Sequence, residues 1–474
     1  MGSLMKLIEP LKKAATGIIG LDEVTGGGLP AGRPTLVCGG PGCGKTLLAT
    51  SYLVQGALKD GESGVFMSFD ESALELQTNT RSLGFDLADL QNRKLLVIDH
   101  VHVDRQEIHE TGDYDLEGLF VRLDYAADKV KARRVVLDSI DTLFAGIPNE
   151  GVLRAELRRL FAWLKERKLT LVITAERGET SLTRHGIEEY VSDCVIVLES
   201  RVENELATRR LRVVKYRGSA HGTNEYPFLI DETGFTLLPV TSLGLAHAAS
   251  DRRVSSGIAG LDAMLDGKGY YKGSSIVVTG GPGTGKTSIG AQFALAGVRN
   301  DQCCLYYLFE ESEAQLIRNM GTIGIDLRPA VSAGLLRVEP VRPTTHGLEM
   351  HLARMIQVFK QYKPDLVVVD PLSALLSSGT SRQAHLMVLR LIDFLKSAGA
   401  TTLYLAVQGE DNKTELNISS LMDTWISVTN LRREKDLERR IYIVKSRGMP
   451  HSADVRVLSL GADGVHVSEQ RDAS

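Results

Sequence analysis

Gly39-Gly40-Pro41-Gly42-Cys43-Gly44-Lys45-Thr46 is the stretch that decides how this chain is read. It fits G-x-x-x-x-G-K-[ST]. In that spacing glycines let backbone N–H groups curl around phosphates, the lysine neutralises their charge and the hydroxyl ligates Mg²⁺. The wording returns 241 residues later as Gly280-Gly281-Pro282-Gly283-Thr284-Gly285-Lys286-Thr287. Each copy follows an apolar run, Pro34 to Cys38 or Ser275 to Thr279, that reads as a strand. Each opens a stretch that reads as a helix, continuing through Leu47 or Ser288. A glycine-rich turn would leave the paired Lys-Thr unexplained, so both copies are read as nucleotide phosphate loops.

The rest of the chain repeats around those loops. Gly17-Ile18-Ile19-Gly20-Leu21-Asp22 recurs as Gly257-Ile258-Ala259-Gly260-Leu261-Asp262. After each loop comes an acidic strand end, Phe69-Asp70-Glu71-Ser72 or Phe309-Glu310-Glu311-Ser312. An apolar strand ending in Asp follows, Val135-Val136-Leu137-Asp138 or Val367-Val368-Val369-Asp370. Lys215-Tyr216-Arg217-Gly218-Ser219-Ala220-His221 then returns as Lys445-Ser446-Arg447-Gly448-Met449-Pro450-His451. A repeat of roughly 240 residues is too long for a solenoid unit, so each copy is expected to be a domain with its own core. The expected division is 1–247 and 248–474, within the Ala-, Ser- and Gly-rich stretch from Gly244 to Arg253. Short β-rich runs alternate with amphipathic stretches such as Leu153 to Lys165 and Ala384 to Lys396. That alternation predicts an α/β fold, with a mainly parallel sheet flanked by helices in each half. Ligands of such sheets sit at the carboxyl ends of the strands, where the landmarks fall.

Bulk composition narrows the class. Of 474 residues, 43% are apolar and 24% charged, as in ordinary globular proteins. A net charge of −4 gives no overall basic field for nucleic acid or membrane. Cys38, Cys43, Cys194, Cys303 and Cys304 form no C-x-x-C, which predicts reduced, cytoplasmic thiols and no zinc site. No signal peptide is visible and no apolar run approaches ~18 residues.

Thr46 and Thr287 are expected to bind Mg²⁺ directly, and Asp138 and Asp370 to hold it through water. An Asp ending a strand also fits a helix N-cap, since Ser139 and Pro371 follow. Hydrolysis needs a carboxylate beside the phosphate loop, and Asp70 with Glu71, or Glu310 with Glu311, is placed for it. Neighbours on a strand point to opposite faces, so one of each pair would aim at the γ-phosphate. Lys215 and Arg217, two apart, would share a strand face. So far in sequence from the phosphate loop, they suit a trans arrangement in which a neighbouring subunit's cations stabilise phosphoryl charge. Exposed basic strand residues or DNA-backbone contacts are the competing readings.

Taken together, these landmarks resemble KaiC, the duplicated ATPase and autokinase of the cyanobacterial clock, within the RecA/DnaB-like superfamily. Phe309 to Asn319 and His185 to Asp193 are close to the family's wording. The resemblance covers nearly the whole chain. It implies two tandem RecA-like P-loop domains, a double-ring homohexamer and ATP with Mg²⁺ held between subunits. The family's phosphorylated Ser-Thr pair is matched by Ser419-Ser420 in Asn417-Ile418-Ser419-Ser420-Leu421-Met422-Asp423. The first half has Glu188-Glu189 near that place, and carboxylates cannot accept a stable phosphoryl group. By the same carry-over Glu310 resembles the kinase half's proton acceptor and a metal ligand. Asp70 stands where the first half of the family has Glu. Ser82 matches an adenine-side residue and Asp231 another nucleotide contact. Lys215, Tyr216, Arg217, Ser219 and His221 match the trans strand, as do Lys445, Ser446, Arg447 and His451. The chain departs from the family at Ser377, where an arginine is usual, at Ile323, where a tryptophan is, and at Met449, where a serine is.

After His451 only 23 residues remain. Little of the tail on which KaiA pulls is expected, so KaiA-driven oscillation is not, while a KaiB-like or signalling partner is compatible. The expected function is ATP hydrolysis in the first half and transfer of the γ-phosphate to Ser419 and Ser420 in the second. The alternatives are a DNA-stimulated ATPase of the same superfamily and a nucleotide-gated scaffold.

Overall fold

The computed structural model describes residues 11–101, 117–144, 150–178, 182–183, 192–203, 206–232, 234–239, 250–345, 347–407, 421–433 and 436–468. The chain divides into two compact units that meet in sequence at Ser242 and Leu243.

Among the described residues each unit is built on a nine-stranded sheet. In the first, β1 (Pro34–Gly39), β2 (Gly64–Ser68), β3 (Leu96–His100), β4 (Arg134–Asp138) and β5 (Thr170–Glu176) are joined by β6 (Cys194–Glu203), β7 (Leu206–Tyr216), β8 (Glu225–Asp231) and β9 (Gly234–Leu237). The spatial order is β9-β8-β7-β6-β1-β5-β4-β2-β3. Strands β1 to β6 run parallel, and β8 is antiparallel to both β7 and β9. The second unit follows the same plan. Its strands are β10 (Ser275–Gly280), β11 (Cys304–Leu308), β12 (Leu336–Pro340), β13 (Leu366–Asp370), β14 (Thr401–Val407), β15 (Thr424–Arg433), β16 (Asp436–Ser446), β17 (Arg456–Gly461) and β18 (Gly464–Ser468), in the order β12-β11-β13-β14-β10-β15-β16-β17-β18. These are the mainly parallel sheets flanked by helices that the alternating pattern predicts.

The central strands are apolar throughout because both sheet faces are covered. Val135, Val136, Leu137, Val367, Val368 and Val369 are all fully buried. Successive residues serve opposite faces. Val37 joins one core cluster of the first unit, while Leu36 and Cys38 join the other.

Helix α1 (Lys45–Gln55) leaves the carboxyl end of β1, and α3 (Lys286–Val298) leaves that of β10. The chain turns into them at Gly44 and Gly285, whose φ values of 101° and 94° disfavour a residue with a Cβ. Helix α2 (Ala73–Arg81) follows β2 and α4 (Glu313–Gly321) follows β11. Both begin with a capping box, Ser72 with Glu75 and Ser312 with Gln315, which fixes the loop just before the helix. Among the described residues no helix is long and apolar enough to cross a membrane.

Candidate nucleotide-binding sites

Both phosphate loops stand at the carboxyl edge of their sheets. Lys45 Nζ donates to the carbonyls of Gly39 and Gly40 at 2.9 and 3.1 Å. Lys286 Nζ donates to those of Gly280 and Gly281, both at 2.8 Å. Gly42 and Gly283 have φ near +70° and nothing close to where a Cβ would stand, so their backbone is open to a ligand. Cys43 is buried, and burial pushes its thiol up, which argues against a redox role. Its counterpart Thr284 donates to the Gly281 carbonyl at 2.9 Å.

The Thr46 hydroxyl lies close enough to Asp138, and that of Thr287 to Asp370, to favour the carboxylate form of each. Both carboxylates are buried at the ends of β4 and β13, and neither caps a helix through a side-chain bond among the described residues. Burial pushes both carboxyl groups up, Asp370 to about 6. Hydroxyl and carboxylate oxygens in this arrangement are the hard donors Mg²⁺ prefers, so the residues present fit that ion. Burial lowers Lys286, while Asp370 and Glu310 act to raise it. The peptide bonds Asp138–Ser139 and Asp370–Pro371 are cis.

The acidic pairs lie beyond the strands, which end at Ser68 and Leu308, so strand alternation does not set their directions. The capped loops do. Asp70 accepts from Ser139 Oγ at 2.8 Å and from Thr142 Oγ1, just beyond Asp138 in sequence. Glu310 faces Lys286 and Asp370 electrostatically. Glu71 and Glu311 turn back onto their own helices, accepting from Asn79 and Asn319. In both halves the first acid of the pair therefore lies near the strand-end Asp, and Glu310 lies near the phosphate-loop Lys286 as well.

The Lys-x-Arg motif sits elsewhere. Strands β7 and β16 end at Tyr216 and Ser446, so Arg217 and Arg447 lie in the following turn, not on a shared strand face as expected. Arg217 N donates to Asp193 O, and Asp193 N to Pro34 O at the start of β1. Arg447, Asp423 and Ser275 repeat this in the second half. The motif thus marks the amino edge of each sheet, while the phosphate loop marks the carboxyl edge. A six-residue strand separates the edges by ~17–20 Å.

Around the motif, Tyr216 is buried, donates to the Gly28 carbonyl and stacks on His221, so its side chain belongs to its own core. Ser219 accepts from Lys13 Nζ at 2.6 Å, and Ser446 shares a hydrogen bond with Thr424. Burial, then the neighbouring Arg447 charge, lowers Lys445. His451 is exposed.

Asp231 ends β8 at the carboxyl edge; Ile230 before it packs at Gly44. Ser82 closes α2 on an exposed surface. Ser419 and Ser420 lie outside the described residues, as do Glu188 and Glu189.

Two features were missed from sequence. Arg439 on β16 donates from Nε to the Gly283 carbonyl at 3.3 Å, and Arg209 on β7 is near enough to act on Cys43. Their recurrence as Arg209-Arg210 and Arg439-Arg440, six residues before each Lys, was the available signal. The other is a hydroxyl from a neighbouring strand on each strand-end carboxylate: Thr174 donates to Asp138, and Tyr306 to Asp370 at 2.8 Å.

Comparison with known proteins agrees with this geometry. The family model described as "ATPase: KaiC" matches twice, over residues 14–242 and 254–472. The chain is 51% identical to the circadian clock protein KaiC2 of Synechocystis sp., over 97% of this chain and 82% of that protein. It is 36% identical to the circadian clock oscillator protein KaiC of Parathermosynechococcus lividus, over 97% and 86%. Against KaiC of Synechococcus elongatus the identity is 34%, over 97% and 90%. With two matching domains and two matching phosphate loops, the chain belongs to the KaiC family of ATPases.

Proposed function

We propose that this ATPase works as a homohexameric double ring, with ATP and Mg²⁺ held between subunits, and that its second half phosphorylates itself on Ser419 and Ser420. One observation carries the reading: the Lys-x-Arg motif and the phosphate loop occupy opposite edges of the same sheet. Lys215 and Arg217 cannot reach the phosphates held at Lys45 of their own unit, nor Lys445 and Arg447 those held at Lys286. If they serve a nucleotide, they serve a neighbour's.

In the second unit's site the loop amides and Lys286 bind and orient the phosphates. Bound Mg²⁺ supplies charge neutralisation on the phosphate oxygens. Thr287 and Asp370 would hold it. Glu310 takes the proton from the attacking hydroxyl as its oxygen bonds to the γ-phosphorus and ADP departs with the bridging electron pair. Arg447 and Lys445 of the neighbouring copy stabilise the transferring charge. In the first unit Asp70 takes the place of Glu310 and water that of the serine. A KaiB-like or signalling protein is the partner class this reading proposes.

Intact mass after incubation with Mg-ATP tests the proposal. Added phosphate is expected, and its loss in a Ser419→Ala/Ser420→Ala chain. No added phosphate, or phosphate that survives the double substitution, overturns it. The scaffold reading stays alive for the first half because Asp70 is tied to two hydroxyls. Phosphate release by a Lys286→Ala chain no faster than by a Lys45→Ala/Lys286→Ala chain would favour that reading.

A further inference from the structure

The two metal-position carboxylates are held by different donors, and three residues change together to allow it. In the first unit Thr174 on β5 donates to Asp138; the matching residue on β2 is Phe66, and α1 carries Ala49. In the second unit the corresponding positions are Leu405 on β14, Tyr306 on β11 and Gly290 on α3. The registers agree: Val37 pairs with Thr174 as Val278 pairs with Leu405, and Phe66 with Val136 as Tyr306 with Val368.

Tyr306 is fully buried and its Oη lies 2.8 Å from Asp370 Oδ2. A Cβ placed on Gly290 would stand 3.0 Å from that hydroxyl and 3.0 Å from a Leu405 methyl. The alanine found at this point of α1 would therefore crowd the tyrosine, and the glycine leaves its place clear. Phe66 needs no such room, because it brings no hydroxyl. A phenol keeps its proton at neutral pH, so Tyr306 acts as the donor.

We infer that Tyr306 is a positioning residue of the second site: it fixes the Asp370 carboxylate toward Thr287 and so sets how strongly Mg²⁺ tightens that site's hold on ATP. Thr174 does the same for Asp138 from the opposite neighbouring strand. A carboxylate with one oxygen held by a fixed donor presents the other in a single direction. Partners behind a metal-holding group typically change metal affinity by about 10- to 100-fold. The inference rests on the proposed metal role of Asp370, and the test separates the two.

The test uses the full chain carrying Lys45→Ala, so that binding of a fluorescent ATP analogue reports the second site. Mg²⁺ is titrated, with a chelator arm alongside. Tyr306→Phe is expected to raise the Mg²⁺ concentration for half-maximal binding about 10-fold, leaving affinity in chelator unchanged. Adding Leu405→Thr and Gly290→Ala transplants the first unit's trio and should restore the midpoint to within about 2-fold. A merely structural tyrosine would weaken binding equally with and without Mg²⁺, or lower the melting temperature without moving the midpoint. Either result, or a trio that folds and fails to restore, overturns the inference. Asp370→Asn is the control. If it leaves the Mg²⁺ dependence intact, the metal reading itself fails; if it removes that dependence while Tyr306→Phe does not shift it, only the positioning role fails.

Discussion

The phosphate loops of the two units differ at one residue, Cys43 against Thr284, yet the first acids of the pairs that follow them live in different surroundings. Asp70 accepts from Ser139 and Thr142. At the matching positions the second unit has Pro371 and Ala374, whose side chains have no hydrogen to donate. Among the described residues Glu310 makes no side-chain hydrogen bond, and it faces Lys286 and Asp370. The two hydroxyls hold the Asp70 carboxylate in one orientation, turned to the residues after β4. Asp70 is also one methylene shorter, which draws it back by ~1.5 Å. On the proposed mechanism near-identical loops can carry unequal chemistry, because proton transfer depends on the acid that follows β2 or β11 and on the residues that follow β4 or β13.

The largest expected effect breaks the comparison at its stronger end. Glu310→Gln keeps shape and removes the proposed base, so phosphate added per chain in the proposed self-phosphorylation, read by intact mass, should form about 10²- to 10⁴-fold more slowly. Phosphorylation at the unaltered rate would show that Glu310 is no different in kind from Asp70. A smaller effect should come from exchanging the surroundings. Ser139→Ala/Thr142→Ala frees Asp70 and should raise phosphate release from the first site about 10-fold, since hydrogen bonds to charged groups are worth about 1.5–3 kcal/mol each and water replaces part of that. Measured in a Glu310→Gln chain, the second site stays silent. Pro371→Ser/Ala374→Thr should slow self-phosphorylation by a similar factor. If neither pair of substitutions moves its rate, the length of the acid, and not its hydroxyl partners, separates the halves.

Much of this was legible in the residues. Buried parallel strands read as continuous apolar runs, so Val135 to Asp138 and Val367 to Asp370 announced both their place in the sheet and the acid at its end. The spacing of glycines and Lys-Thr fixed the phosphate loops. The directions of the acidic pairs were not legible, because strand alternation stops at Ser68 and Leu308 and capping geometry takes over. The edge on which Lys215 and Lys445 sit was not legible either, since it depends on β7 and β16 running back along the sheet. Tyr306 and Thr174 escaped notice because each looks like an ordinary strand residue. Only the fold shows that they reach one carboxylate position from opposite sides.

The smallest effect concerns stability. Burial raises Asp370 from an ordinary 3.8 to about 6, so between those values the folded chain keeps a proton that the unfolded chain has lost. The stability this contributes is present below pH ~4 and is lost as the pH rises through 6; above that, the fold carries a buried charge. Asparagine can still accept from Tyr306 through its oxygen and turn its amide N–H toward the Thr287 hydroxyl, without the charge. Asp370→Asn should therefore raise the melting temperature at pH 7.5 by a few degrees, from roughly 1–3 kcal/mol at about 2–4 °C each, in buffer with chelator and no nucleotide. At pH 4 the difference should vanish. Asp138 is pushed the same way, first by burial and further by the Asp70 charge, against Thr174 and Thr46. Asp138→Asn should shift the first unit's transition with the same sign and pH dependence. A variant that melts lower at pH 7.5 in one unit only would mean that attraction to its phosphate-loop lysine outweighs burial there. The two carboxylates would then differ in electrostatics as well as in their donors.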